Sequence, residues 1–400
     1  MMPENTSSIL TINAGSSSIK IALYAMDEQP VLKLSGKIEK IGAKPSELFI
    51  KENDIKNNIS LNGNDFRSTT VSLTEWLKQQ PWFKNIQAIG HRIVHGMHHT
   101  KSEIITKDLL DELSKIADYD PEHLPAEIEI IQLIKKINPK LRQVACFDTS
   151  FHTTIPAVAK IFAIPKQYFD EGIQRYGFHG ISYSYLMKEL QKINEAESKG
   201  RIILAHLGNG ASIAAVKDGK CIDTSMGFTP AGGIVMSSRS GDIDPGIAWY
   251  LMQKGIETKA FNHLINHQSG LLGISGVSSD MQQLLEQKDN EDAVLAIDIF
   301  CYQIKKYIGA YTAVLGGLDV LIFSGGIGEN APEIRKRICK DLDFLHAELD
   351  EEKNNRNDQL ISSANSTVKI YVIPTNEELM IAKETLAVYK SKQFIHQKNK

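Results

Sequence analysis

Three runs of small residues, each directly behind an apolar strand, are the places in this 400-residue chain where anion chemistry could occur. They are NAGSSS at 13–18, LGNGAS at 207–212 and SGGIGEN at 324–330, behind strands at 9–12, 202–205 and 320–323. Small residues let backbone amides approach phosphate oxygens closely. None of the three fits G-x-x-x-x-G-K-[ST], and no G-x-G-x-x-G follows the first strand, so neither a P-loop nor a dinucleotide fold is indicated. Lys20, just past the first turn, suits a phosphate contact, and so does His206 beside Gly208, Asn209 and Gly210. Gly325, Gly326, Ile327, Gly328 and Asn330 form the third candidate cradle. Arg92 in GHRIVHG and Arg239 in SRSGDIDP carry guanidinium forks that bind planar carboxylate or phosphate oxygens in a bidentate way. Asp242 and Asp244 are read as structural supports of the Arg239 loop. His179, in RYGFHG at 175–180, could donate a hydrogen bond to charge developing on a transferred group. Asn13, Asp148 and Glu377 each lie just past an apolar strand and offer the oxygen that Mg²⁺ prefers. His91, His95, His98 and His99 cluster in sequence, but H-E-x-x-H is absent and Arg92 opposes a cation among them, so they are not read as a metal site.

The elements that must position these groups repeat. The strand, turn and strand at 9–25 return as the strand at 202–205, the turn and the strand at 213–216, closed by Asp218-Gly219. Duplication of one domain explains a repeat this long better than a solenoid does. Length alone also favours two domains. Further β structure is expected over 47–61, at 144–147 and at 369–373. Helical spacing of apolar residues marks 107–118 and 126–136, the many apolar positions of 291–315 suit a long, deeply buried or intersubunit helix ended by Gly316-Gly317, and Pro332 opens another helix. Alternating strands and helices with loops at strand ends imply α/β architecture. The division is placed at 1–149 and 150–382, with a C-terminal helix at 383–400 completing the first domain.

Composition excludes several classes. The apolar fraction of 42% contains no run long enough to span a bilayer. The polar start MMPENTSS lacks a signal-peptide pattern, which points to the cytoplasm. Cys146, Cys221, Cys301 and Cys339 show no C-x-x-C pair and are read as buried thiols. A net charge of -3 gives no footprint for nucleic acid, and Lys390, Lys392, Lys398 and Lys400 read as a solvated tail.

With TINAGSSSIK (11–20), GHRIVHG (90–96), FDTSFH (147–152), RYGFHG (175–180), HLGNGAS (206–212), RSGDIDPG (239–246), FSGGIGEN (323–330) and PTNEELMIA (374–382) in this order, the chain resembles the acetate and propionate kinase family of the actin, Hsp70 and sugar-kinase superfamily. The resemblance implies duplicated actin- or ribonuclease-H-like domains of the βββαβαβα type, ATP/ADP in an interdomain cleft, and a homodimer formed largely by the second domain. It implies Mg²⁺-dependent (or Mn²⁺-dependent) transfer of the ATP γ-phosphoryl group to acetate or another short-chain acid, giving acetyl phosphate. Arg92, Arg239 and His179 match positions implicated in substrate binding and transition-state stabilisation. Asn13 and Glu377 match positions near the metal, while Asp148 orients either an arginine or the metal's water shell. Val94, Phe178 and Pro230 would surround the alkyl group. Two positions depart from the pattern: Tyr183 stands where a second histidine is usual, and Glu122 precedes His123 where an apolar residue is common. An ATP-driven assembly protein of the actin or Hsp70 kind would have no need for Arg92, Arg239 and His179 together. A regulatory relative would bind ATP without turning over a short acid.

Overall fold

The computed structural model describes residues 6–15, 18–39, 41–42, 46–52 and 54–398, with the side chains of 118 and 392–398 outside that description. Ser16 and Ser17 of the first turn, and the tail side chains of Lys392, Lys398 and Lys400, therefore lie outside it. Among the described residues the chain forms two compact units, Met1–Ser150 with Asn376–Lys400, and Phe151–Thr375.

The first unit is built on an eight-stranded sheet. Strands β1 (Ser8–Ala14), β2 (Ile19–Ala25), β3 (Val31–Ile38), β4 (Glu47–Glu52), β5 (Ile55–Ser60), β6 (Ile86–Ile93), β7 (Glu103–Ile104) and β8 (Arg142–Phe147) lie in the order β5-β4-β3-β2-β1-β6-β8-β7. β1 to β5 pair antiparallel, whereas β1, β6 and β8 run parallel. The second unit repeats this plan with β9 (Arg201–Leu207), β10 (Ala211–Lys217), β11 (Lys220–Thr224), β12 (Val320–Ser324) and β13 (Lys369–Val372), ordered β11-β10-β9-β12-β13. The correspondence of β3-β2-β1-β6-β8 with β11-β10-β9-β12-β13 is the duplication that the two similar turns announced.

Strand β12, central in the second sheet, is almost wholly apolar, as a strand covered on both faces should be. Val320, Leu321, Ile322 and Phe323 are all fully buried, each contributing about 1.5–3 kcal/mol of burial. Helix Glu291–Leu315 takes its N-cap from Asn290, whose side chain accepts from the Asp292 and Ala293 amides. It ends at Gly316, whose left-handed backbone (φ 75°) closes the last turn. Its buried stripe Ala293, Ile297, Phe300, Ile304, Ile308 and Tyr311 follows helical periodicity. The helix expected over 107–118 is Lys107–Lys115, followed by a 3₁₀ turn at Ala117–Tyr119.

One expectation is corrected. The run after β12 is not an open loop: Gly325–Asn330 is a short helix, and Glu329 Oε1 accepts from the amides of Gly325 (2.8 Å) and Thr375 (3.0 Å). That carboxylate supplies the stabilisation that three glycines lack. The chain returns to the first unit at Asn376, whose side chain caps the helix Glu377–Lys398 by accepting from the Leu379 amide at 2.9 Å. All four cysteines are buried free thiols.

Candidate active site

In the first unit the candidate residues gather at the ends of β1, β6 and β8 and the start of the helix Glu377–Lys398. Asp148, fully buried just past β8, accepts from Arg92 Nε at 2.9 Å and Nη2 at 2.6 Å. Both contacts fall on the same oxygen, Asp148 Oδ2. Arg92 Nη1 also reaches the Ala14 carbonyl at 3.4 Å. Burial alone would lower the pKa of Arg92, but Asp148 and then Glu377 more than offset it, so the guanidinium is held charged. Asn13 Nδ2 donates to Glu377 Oε2 at 2.8 Å and Glu378 Oε1 at 3.1 Å. Lys20 Nζ lies 3.6 Å from Glu378, which with Glu377 outweighs burial and raises its pKa. Two carboxylates and an amide make a hard-oxygen donor set of the kind Mg²⁺ accepts.

Val94 is buried beside this group, and its amide donates to both oxygens of Glu127 at 3.2 and 3.1 Å. Burial pushes the Glu127 carboxyl well above the usual range, against the pull of Arg92. His123 is buried and meets Asp120 through Nδ1 at 2.9 Å, while Glu122 is only half-buried. The histidines at 91–99 part company: His91 is buried against Gln143 at 2.7 Å, and burial lowers its pKa to about 4.

In the second unit the site grows from the β9–β10 hairpin. Its register sets His206 directly opposite Ser212, and the turn between them closes through the Gly208 amide on the Gly210 carbonyl at 3.1 Å. The first turn of helix Gly180–Ile193 supplies a hydroxyl to each. Ser182 Oγ meets His206 Nδ1 at 2.9 Å, and the Tyr183 hydroxyl hydrogen-bonds Ser212 Oγ. Ser212 Oγ in turn meets His179 Nδ1 at 2.9 Å. His179 precedes the helix with a left-handed backbone (φ 60°), uncommon for a residue with a side chain and a mark of functional constraint. Its ring stacks on His206 with centroids 4.3 Å apart.

Gly210 explains why glycine is needed here: a Cβ would lie 3.1 Å from His179 Nε2 and 3.6 Å from Arg239 Nη1. The backbone turn thus passes directly over both groups. Arg239 is half-buried, with Nη1 3.5 Å from the Pro230 carbonyl. The Asn209 carbonyl accepts from the Ser237 amide at 3.1 Å, tying the turn to the segment before Arg239. Phe178 is buried, and its carbonyl meets His152 Nε2 at 2.9 Å. Asp242 supports this loop as expected, accepting from the Gly233 amide at 2.8 Å. At Gly325 (φ 76°) a Cβ would stand 2.6 Å from the Leu207 carbonyl, so β12 and β9 bring the third cradle close only with glycine there.

The structure therefore groups Asn13, Lys20, Arg92, Val94, Asp148 and Glu377 in one unit. It groups Phe178, His179, His206, Gly208–Gly210, Pro230 and Arg239 with the cradle at 325–330 in the other. Sequence reasoning missed Glu378, Glu329, Ser212 and Ser182. Glu378 stood adjacent to a chosen residue, and Ser212 stood inside a chosen motif, but neither had a partner visible along the chain.

A duplicated actin-like α/β fold, with glycine-lined turns at strand ends and paired arginine and histidine groups, defines a phosphotransferase. The chain belongs to the Acetokinase family, whose sequence model matches residues 8–383. An acetate kinase from Bacteroides thetaiotaomicron is 43% identical over 400 residues, covering 96% of this chain and 99% of that protein. Among solved structures, a propionate kinase from Francisella tularensis superposes with a TM-score of 0.89 at 41% identity, covering 96% of this chain and all of the other. Porphyromonas gingivalis acetate kinase superposes with a TM-score of 0.84 at 37% identity, covering 96% and 99%.

Proposed function

We propose that this chain is an acetate kinase, transferring the γ-phosphoryl group of ATP to acetate reversibly by direct in-line displacement. The observation that carries this reading is the pairing of Arg92 with Asp148 in one unit and of His179 with Ser212, beside Arg239, in the other. A carboxylate acceptor is ionised at neutral pH, so the reaction needs no general base. Its barrier lies in bringing one anion up to another, and fixed cations and hydrogen-bond donors lower it. Arg92, locked by a buried carboxylate, is suited to hold the acid. Arg239 is suited to meet charge on the transferred group.

His179 gains a defined role from its partner. If the Tyr183 hydroxyl donates to Ser212 Oγ and Ser212 donates to His179 Nδ1, the imidazole proton resides on Nε2. That atom then serves as donor to an equatorial phosphoryl oxygen. Tyr183 thereby supplies the support that a second histidine gives elsewhere in the family. The glycine turns 208–210 and 325–330 would cradle the nucleotide phosphates, with Lys20 and His206 near them. Mg²⁺ (or Mn²⁺) would sit with Asn13 and Glu377, and when bound it supplies charge neutralisation for the phosphate oxygens. Val94, Phe178 and Pro230 would line the alkyl pocket. A hydrophobic pocket separates one methylene by only about 1–3 kcal/mol, so propionate is a slower or alternative substrate.

A cytoplasmic homodimer completes the reading. No described helix is long and apolar enough to cross a membrane, and helix Pro245–Gln253 buries none of its residues while exposing Ile247, Trp249, Tyr250 and Met252. Exposed apolar surface of this kind marks a protein contact. The test of the activity is hydroxylamine trapping of acyl phosphate across formate, acetate, propionate and butyrate. Chiral phosphate tests the in-line step: inversion is expected, and retention would require a phosphoenzyme.

A further inference from the structure

The fold brings two carboxylates to the adjacent His98 and His99, which along the sequence are not read as a metal site. His98 and His99 follow β6 in a turn closed by the His99 amide on the Gly96 carbonyl at 2.8 Å. Glu112 projects toward them from the helix Lys107–Lys115, and Glu103 from β7. His99 Nε2 is 3.1 Å and His98 Nε2 is 3.7 Å from the same oxygen, Glu112 Oε2. All three atoms lie within 4.8 Å of one another, forming the one such group of His, Cys, Asp or Glu found among the described residues. Arg92, which in sequence opposed a cation here, spends its charge on Asp148.

We propose that His98, His99 and Glu112 form a site for a borderline divalent cation such as Zn²⁺, separate from the catalytic groups. With Zn–N and Zn–O bonds of about 2.0–2.1 Å, tetrahedral ligands stand about 3.3–3.5 Å apart. The observed 3.1 and 3.7 Å bracket that spacing. Glu103 Oε1 accepts from His99 Nδ1 at 2.6 Å, the carboxylate–histidine arrangement that fixes the tautomer and aims the Nε2 lone pair at a metal. With Nδ1 donating to one carboxylate, Nε2 is turned toward a second, Glu112. His99 is held in place by stacking on buried Phe147 with centroids 5.2 Å apart, and His98 stacks on it at 4.4 Å. Two imidazoles and one carboxylate match zinc rather than Mg²⁺ and leave a fourth position for water. Occupancy would tie the turn after β6 to the helix Lys107–Lys115.

The test is Zn²⁺ titration of the full, tag-free, chelator-treated protein by calorimetry, with Co²⁺ absorption as a reporter of coordination number. One equivalent of Zn²⁺ and the intense visible bands of four-coordinate Co²⁺ are expected. His99→Gln and Glu112→Gln should abolish both, and Glu103→Gln should weaken Zn²⁺ binding about 10–100-fold. His98→Gln, at an exposed ring, provides a variant whose fold is safe and should also lose the four-coordinate spectrum. Glu377→Gln should keep the equivalent. No binding, weak six-coordinate Co²⁺ bands, or binding that survives His99→Gln and Glu112→Gln or disappears with Glu377→Gln, would overturn the site.

Discussion

Replacing Asp148 with alanine removes the fully buried carboxylate that pairs with a guanidinium whose side chain is only 13% exposed. Breaking such a pair from one side leaves a buried charge uncompensated, which costs about 3–5 kcal/mol of stability. Arg92 also loses the two bonds, at 2.9 and 2.6 Å, that fix its plane. Loss of an oriented charged donor should lower kcat/KM for acetate about 10²–10³-fold. Urea unfolding and steady-state kinetics read the two effects separately. The double variant Arg92→Met/Asp148→Leu removes both charges, so it should regain most of the lost stability and none of the activity. Wild-type stability in Asp148→Ala, or activity returning with stability in the double variant, would show that the pair neither holds the structure nor orients the acid.

Tyr183→Phe deletes one hydroxyl from the chain to Ser212 and His179; at about 1.4 kcal/mol, kcat should fall about tenfold with KM for ATP unchanged, and Tyr183→His should restore part of it. An unchanged kcat would remove Tyr183 from the site's support. Trp249→Glu places a charge on the exposed face of helix Pro245–Gln253 and should shift the protein from dimer to monomer in sedimentation, without loss of secondary structure. His91 and His152 are buried neutral, their pKa values lowered to about 4 by burial. The unfolded chain takes up their protons near pH 6.5, so stability falls as pH drops from about 6.5 to 4, by up to about 3 kcal/mol per histidine. His152→Gln should flatten that slope in urea titrations, and a parallel slope would contradict a buried neutral ring.

Much of this arrangement was legible because it is local. The duplicated strand–turn–strand appears in sequence as apolar runs around glycine-rich turns. Helix Glu291–Leu315 announced its extent and its glycine stop. The rest depends on partners distant in sequence. Glu329 turns SGGIGEN into a helix by reaching Gly325 and Thr375, which no propensity of a triple-glycine run would suggest. Helix Gly180–Ile193 was unread because it starts from a left-handed His179 with no side-chain cap. Helix Phe66–Gln79 is rich in threonine and serine, yet Asp65 and Ser68 form a capping box that the sequence did display. The His98–His99–Glu112 group was invisible for the opposite reason, since nearness to Arg92 along the chain suggested repulsion that folding removes.

The most direct measurement is acetyl phosphate formation from Mg-ATP and acetate, matched against ADP release, for the wild-type protein and Arg239→Ala. An acetate kinase working through these residues gives equal amounts of the two products and a rate on the order of 10³ lower in the variant. ATP bound without acyl phosphate from acetate, or an Arg239→Ala variant as fast as the wild type, would contradict it.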